Sequence, residues 1–286
     1  MSKKDFLENI KKLREATGVG FNDCKLAIDE CGGNIEKSIE FLRKKGIAKA
    51  TKKMSRVASE GLALVHSDGN EVSIIEINSE TDFVAKNKDF LSFCKEVSEI
   101  NFINKGDLDK INLSNMENKI TVKDNLIDLI AKIGEKIIIR RAIFFNKNEG
   151  SNFYYVHGPI EKNIGKIVSA VKLTNIDINN DFGKKLAMHI AASSPIAIDK
   201  NNIKKEILDK ELEIIKAELT NSGKKEEMIE KISTGKLNKF VSDNTLLNQM
   251  WIMDPKKKVS DILMENKSDG DIKVLHFARY KVGEGV

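Results

Sequence analysis

Cysteine is scarce in this chain of 286 residues: Cys24, Cys31 and Cys94 form no Cys-x-x-Cys spacing, and three thiols cannot all pair with one another. A closed disulfide framework is thereby excluded, and reduced, buried thiols of a cytoplasmic protein are expected. Long apolar runs are missing too. No stretch approaches the roughly 20 residues that a membrane helix needs, so no membrane segment is predicted. The opening residues, MSKKDFLENIKK, are charged and lack the apolar core of a secretory signal. Aromatic residues make up 6% with a single tryptophan, so each exposed ring carries weight. Nor does one sign of charge dominate. The 48 basic residues stand against 43 acidic ones, and the net charge of +5 permits nucleic acid without arguing for it.

Signatures of catalysis are absent as well. The chain has no GxxxxGK[ST] phosphate loop, no GxGxxG after a strand, no HExxH and no GxSxG elbow. The four histidines, His66, His157, His189 and His276, stand singly. Asp82 with His157 would make an acid–base pair, but no nucleophile accompanies them. Neither an enzymatic activity nor a cofactor is expected.

What is present is apolar material for real cores: 41% hydrophobic against 32% charged residues, over a length that suggests two or three folded units. Residues 1–46 predict a three-helix module. Phe6, Leu7, Ile10 and Leu13 recur at helical spacing up to Gly18 and Gly20. Asn22 or Asp23 is placed to cap a second helix carrying Leu26, Ala27 and Ile28. Asn34 caps a third, with Ile35, Ile39 and Leu42 on one stripe and Gly46 as its stop. A basic connector, residues 47–58, follows. Around it Arg43, Lys44, Lys45, Lys49, Lys52, Lys53 and Arg56 run without an acid. Such a run serves either a nucleic-acid strip or a solvated linking helix. The lack of interleaved aromatics, with Ala48, Ala50 and Ala58 present, favours the linker, and no direct nucleic-acid binding is expected.

The rest holds an internal repeat. The first copy, residues 59–147, opens with two strands around the turn Ser67-Asp68-Gly69-Asn70. It continues into a helix bearing Phe90, Leu91, Cys94 and Val97, and closes with a strand at 137–145. The second copy, residues 148–200 and 236–286, repeats this with strands YYVHGP and KIVSAVKLT, a helix through Leu186, Met188, Ile190 and Ala191, and a strand at 272–282. His66 and His157 fall at equivalent places. Two related α+β subdomains are implied. Within the second, residues 201–235 predict an inserted antiparallel helical hairpin that turns at Asn221-Ser222-Gly223. Its apolar seam is suited to internal packing or to self-association.

One segment stands out, Asn78 to Asn87, between the second strand and the first long helix of copy one. Thr81 or Asp82 is placed to cap that helix. Phe83 then has two readings. Helical spacing puts it on one face with Phe90, Leu91 and Cys94, in the core; its place beside a capping aspartate at an element tip suits a protruding wedge.

These residues carry a resemblance to the elongation factor Ts family. LREATGVGFNDCKLAI (13–28) is similar to that family's N-terminal signature, within a module resembling ubiquitin-associated three-helix domains. TDFVAKN (81–87) resembles its second signature, and AKIGEKIIIRR (131–141), MHIAASSP (188–195) and MDP (253–255) match further blocks in order. The resemblance implies the same fold: a three-helix module, two related subdomains and a helical hairpin. It further implies guanine-nucleotide exchange on the GTPase elongation factor Tu. Asp23 and Lys25 would dock on the GTPase domain. Thr81, Asp82, Phe83 and Val84 would dislodge Mg²⁺ from the partner's nucleotide site. Ile133, Gly134 and His157 would face the partner, with Ile252 and Met253 supporting a contact to a second Tu domain.

Overall fold

The computed structural model describes residues 3–267 and 270–286; the side chains of Lys3, Lys4 and Lys49, the last part of the basic run, lie outside that description. Three helices come first: α1 (Lys3–Thr17), α2 (Phe21–Glu30) and α3 (Ile35–Lys53). Ile10, Leu13, Cys24, Ala27, Ile28 and Leu42 close a small core among them. Asn34 caps α3 as its position suggests, accepting the Lys37 N–H at 2.9 Å. Neither Asn22 nor Asp23 caps α2. Gly20 holds the N-cap without a side-chain bond, and Asp23 lies in the first turn, where its charge suits the helix dipole.

Gly46 does not stop α3, which runs on to Lys53. The reason is tertiary. A Cβ at Gly46 would stand 3.2 Å from the Ala131 methyl, so glycine here permits two helices to approach closely. Ala50 likewise enters the core of the next unit. The basic connector is therefore mostly the last turns of a packed helix. Acids from elsewhere neutralise several of its cations: Arg43 meets Asp124 at 2.7 Å, Lys45 meets Asp23 at 3.0 Å and Arg56 meets Glu80 at 3.2 Å.

The first subdomain is built from β1 (Glu60–Ser67), β2 (Val72–Ser79), α4 (Lys88–Ile103), α5 (Leu108–Leu113), α6 (Val122–Ile133) and β3 (Ile137–Phe145). In the second come β4 (Ser151–His157), β5 (Ile164–Gly165), β6 (Ile167–Leu173) and α7 (Asp181–Ser193). The hairpin α8 (Lys205–Asn221) and α9 (Glu226–Asn244) follows, then β7 (Met250–Trp251), β8 (Asp254–Lys258), α10 (Val259–Glu265) and β9 (Val274–Lys281). The return helix of the hairpin thus continues well past residue 235, because Val241 packs with Ala197 and Ile203 at its base.

β2 lies inside the first sheet and β6 at the centre of the second, in the orders β3-β2-β1-β5 and β4-β6-β9, all antiparallel. The two sheets meet face to face. On β1 and β2, Leu62, Leu64, Ile75 and Ile77 turn toward α4 and α6, while Ala63, Val65, Val72 and Ile74 turn toward Val168, Ala170 and Ala278 of the other sheet. Apolar residues on both faces are what a strand between two layers requires. Helices cover the outer face of each sheet, and β5 crosses over to extend the first sheet at β1. Glu76 is buried in this interface. Its carboxylate accepts from Arg140 (3.0 Å), Arg141 (2.6 Å) and the Gly283 amide (2.9 Å), tying both subdomains together. Burial pushes its pKa up, but the Gly283 amide, the Asn78 side chain and Arg141 outweigh that and hold it below the usual range.

Candidate functional site

The segment after β2 is not the start of α4. Thr81 donates both its N–H (2.9 Å) and its hydroxyl (2.7 Å) to the Glu135 carboxylate, so its side chain is not free to cap a helix. A single 3-10 turn covers Val84–Lys86, and the helix proper starts after Asn87, whose side chain accepts from the Asp89 and Phe90 N–H groups. The cap is Asn87, in place of Thr81 or Asp82. An Asn followed by acidic Asp89 in the first turn is a cap signal in its own right.

This break decides Phe83. The extended backbone of Asn87 (ψ 131°) interrupts the helical register, so Phe83 never shares a face with Phe90. Val84 and Ala85 take the buried places, and the Phe83 ring is 77% exposed. Burying Val84 under the turn is what pushes its neighbour outward. The core reading of Phe83 is overturned. Asp82 is exposed beside Lys86 at 3.8 Å, and the His157 Nδ1 lies 3.3 Å from the Tyr155 hydroxyl, so each half of the imagined acid–base pair has a different neighbour.

Around Phe83 the chain gathers residues far apart in sequence. α6 ends at Gly134 in the left-handed region (φ 86°), the conformation that glycine adopts without penalty. The next residues, Glu135 and Lys136, reach the 80–81 segment reciprocally: Glu135 accepts from Thr81, and Glu80 accepts the Lys136 N–H. Arg56 adds two bonds to Glu80, the Lys136 ammonium donates to the carbonyls of Met54 and Arg56, and Lys53 donates to the Gly134 carbonyl. Burial raises the Glu80 pKa, but the Lys136 amide and the Arg56 guanidinium more than reverse it and hold it below the ordinary carboxylate value. Ile133 and Gly134 thus join Thr81–Phe83 on one ridge. The α1–α2 turn leans on the same region, where a Cβ on Gly18 would fall 2.8 Å from the Lys132 side chain. Lys25 is exposed on α2, and Asp23 is bridged to Lys45.

Ile252 and Met253 form a separate place, the two-residue turn between β7 and β8, both partly exposed. His189 holds that turn. Gln249 donates to the carbonyls of Ser193 (3.0 Å) and Asp243 (2.9 Å), which leaves its oxygen to accept from His189 Nε2 at 3.1 Å. Nδ1 then accepts the Ile252 N–H at 3.4 Å, so the imidazole is neutral with its proton on Nε2. Burial lowers its pKa, more than the Gln249 bond raises it, and the ring stacks on Trp251 at 5.2 Å. His189 was not singled out from sequence, since a lone histidine on a helix gives no sign of a strand turn some 60 residues on.

No cluster of His, Cys, Asp or Glu among the described residues would hold a metal ion, and no helix among them is long and apolar enough to cross a membrane. The braced loop thus presents one aromatic ring to solvent beside paired sheets. A family model described as Elongation factor TS matches residues 80–284. The elongation factor Ts of Methylobacterium sp. (strain 4-46) is 38% identical over 283 residues, covering 97% of this chain and 92% of the relative. That of Rickettsia prowazekii (strain Madrid E) is 37% identical over 283 residues, covering 97% and 91%. The chain belongs to the elongation factor Ts family, among the elongation factors of protein biosynthesis.

Proposed function

We propose that this chain is a guanine-nucleotide exchange factor, promoting GDP release from elongation factor Tu in the cytoplasm. The observation that carries this reading is Phe83: a large apolar ring held in solvent on a braced loop, in a chain of this family. Bound GDP concentrates negative charge, offset in a GTPase by Mg²⁺ and backbone donors. Phe83 enters the partner near that site; Thr81 and Asp82 accompany it, and buried Val84 anchors the turn beneath. The intrusion displaces Mg²⁺ and leaves the phosphates poorly compensated.

Linkage sets the arithmetic. A factor that binds nucleotide-free partner more tightly weakens nucleotide by the same ratio. Burying one phenylalanine yields roughly 1.5–3 kcal/mol, which corresponds to a shift of about tenfold to a hundredfold. Larger effects require the other contacts. Asp23 and Lys25 of the three-helix module dock on the GTPase domain, Ile133 and Gly134 extend the ridge, His157 faces the partner from the end of β4, and Ile252 and Met253 touch another Tu domain. No covalent step is required of the chain.

Release of fluorescent GDP from purified elongation factor Tu tests the proposal. Substoichiometric amounts of the chain should accelerate release, and an unchanged rate at saturating chain would overturn it.

A further inference from the structure

The exchange reading leaves one residue of the ridge without a role, Glu135, which is bonded to Thr81 two positions before Phe83. We propose that Glu135 is a positioning residue: its carboxylate brackets Thr81 and so fixes the loop that presents the Phe83 ring. This rests on the exchange reading above.

The case is geometric. Glu135 gives one oxygen to the Thr81 N–H (2.9 Å) and the other to the Thr81 hydroxyl (2.7 Å), a two-point grip on a residue 54 positions away. A single bond would leave the loop free to swivel; two bonds to different atoms of one residue fix its orientation. The grip is reciprocated one residue along, where Glu80 takes the Lys136 N–H. The Ser79 hydroxyl adds a bond to the Thr81 carbonyl at 3.0 Å. Downstream, Val84 and Ala85 are pinned in the core. Asp82 and Phe83 are therefore suspended between two fixed ends. An exposed ring gains nothing from its own fold, so its direction must be set by such neighbours. Glu135 can hold its own place because Gly134 turns the chain sharply at the end of α6.

The consequence is preorganisation. With Glu135 intact, Phe83 meets the partner already oriented; without it, the same ring must be ordered during the encounter, and part of its burial energy is lost to that ordering. Glu135→Gln keeps size and can keep one contact to each Thr81 group, its oxygen accepting the N–H and its amide NH2 donating to the hydroxyl, but both bonds are then neutral and the charge-assisted grip is weakened.

The test uses the full chain and fluorescent-GDP release from elongation factor Tu over a range of chain concentrations. Acceleration by the unsubstituted chain is measured first. If that is missing, the exchange reading falls and this proposal with it. Given acceleration, Glu135→Gln should lower the maximal release rate about tenfold, in line with losing hydrogen bonds to a charged acceptor. The melting temperature should stay close to that of the parent. Hydrogen–deuterium exchange should quicken at residues 80–83 but not within α4. The decisive arm is the double substitution. In a Phe83→Ala background, Glu135→Gln should have no further effect on the maximal rate, because its action passes through the ring. An undiminished loss in that background would mean that Glu135 touches the partner directly, and would overturn the proposal. So would a normal rate for Glu135→Gln alone, or a loss explained by a lowered melting temperature.

Discussion

The two subdomains use the same connection for opposite ends. Between β2 and α4 the first copy holds Phe83 in solvent, 77% exposed; between β6 and α7 the second packs Ile176 on its own core and leaves Ile178 at 37%. Both connections finish alike, with an asparagine, Asn87 or Asn180, capping the helix. They differ in what ties their first half. In the second copy Thr174 bonds main chain to main chain with Lys273 (3.0 Å), and Asn175 reaches the Asp271 carbonyl (2.8 Å). That loop continues its sheet. In the first copy the tie is a pair of carboxylates, Glu135 and Glu80, which hold the loop at side-chain length beside the neighbouring connection. The second loop also has side-chain bonds, from Ser151, Thr174 and Asn175, but these are neutral, whereas the charged pair Glu135 and Glu80 holds the loop that displays the Phe83 ring.

Four comparisons break or sharpen this contrast. The largest effect separates two phenylalanines of one segment. Phe90→Ala should lower stability by roughly 3–5 kcal/mol, as emptying a fully buried aromatic site does. Phe83→Ala should stay within about 0.5 kcal/mol. Urea denaturation of both variants measures this, and equal shifts would return Phe83 to the core.

Next, Phe83→Ala should slow GDP release about tenfold to a hundredfold, following the burial estimate for one ring. Ile178→Ala, at the matching connection of the second copy, should leave release near the parent rate. Stopped-flow release on the two variants reads the comparison directly; similar losses would mean both loops contact the partner.

A smaller effect concerns the caps. Asn87→Ala and Asn180→Ala should each cost about 1 kcal/mol of stability, whereas Asp82→Ala should cost little, since Asp82 caps nothing. Thermal melts that put the larger loss on Asp82 would reinstate it at the helix start.

The smallest effect distinguishes how the two exposed places are braced. The folded-state pKa of His189 lies below its ordinary value near 6.5, so the native state favours neutral imidazole. Below about pH 6.5 the unfolded chain binds the proton more readily, and stability falls as pH drops through that range. His276 is shifted the same way, so His189→Gln should reduce the slope of melting temperature between pH 7 and 5.5 without abolishing it. The carboxylate brace at Phe83 has the other window. The lowered Glu80 pKa keeps its contribution intact above its ordinary value near 4.5 and loses it only as pH falls further. An unchanged slope in His189→Gln would remove the histidine from this role.

Periodicity and capping chemistry carried much of this molecule. The alternation on β1 and β2, the Ser67–Asn70 turn and the strand at 137–145 depend on neighbours a few residues apart, whose geometry the backbone dictates, and each is where its pattern puts it. Some departures are local, such as the caps at Gly20 and Asn87, and others arise from longer range. Gly46 has every local mark of a helix stop, yet α3 passes through it because Ala131 lies against it. Phe83 fits the stripe of Phe90 and Cys94 by spacing, yet Asn87 interrupts the register and buried Val84 turns the ring out. The braces at Glu135 and His189 join residues 54 and 63 positions apart. By itself the amino-acid order determined which elements form, since a helix or hairpin is stabilised within its own span. Which side chain is displayed, and what holds it there, was decided only in the tertiary structure, because those bonds exist only after distant connections have been brought side by side.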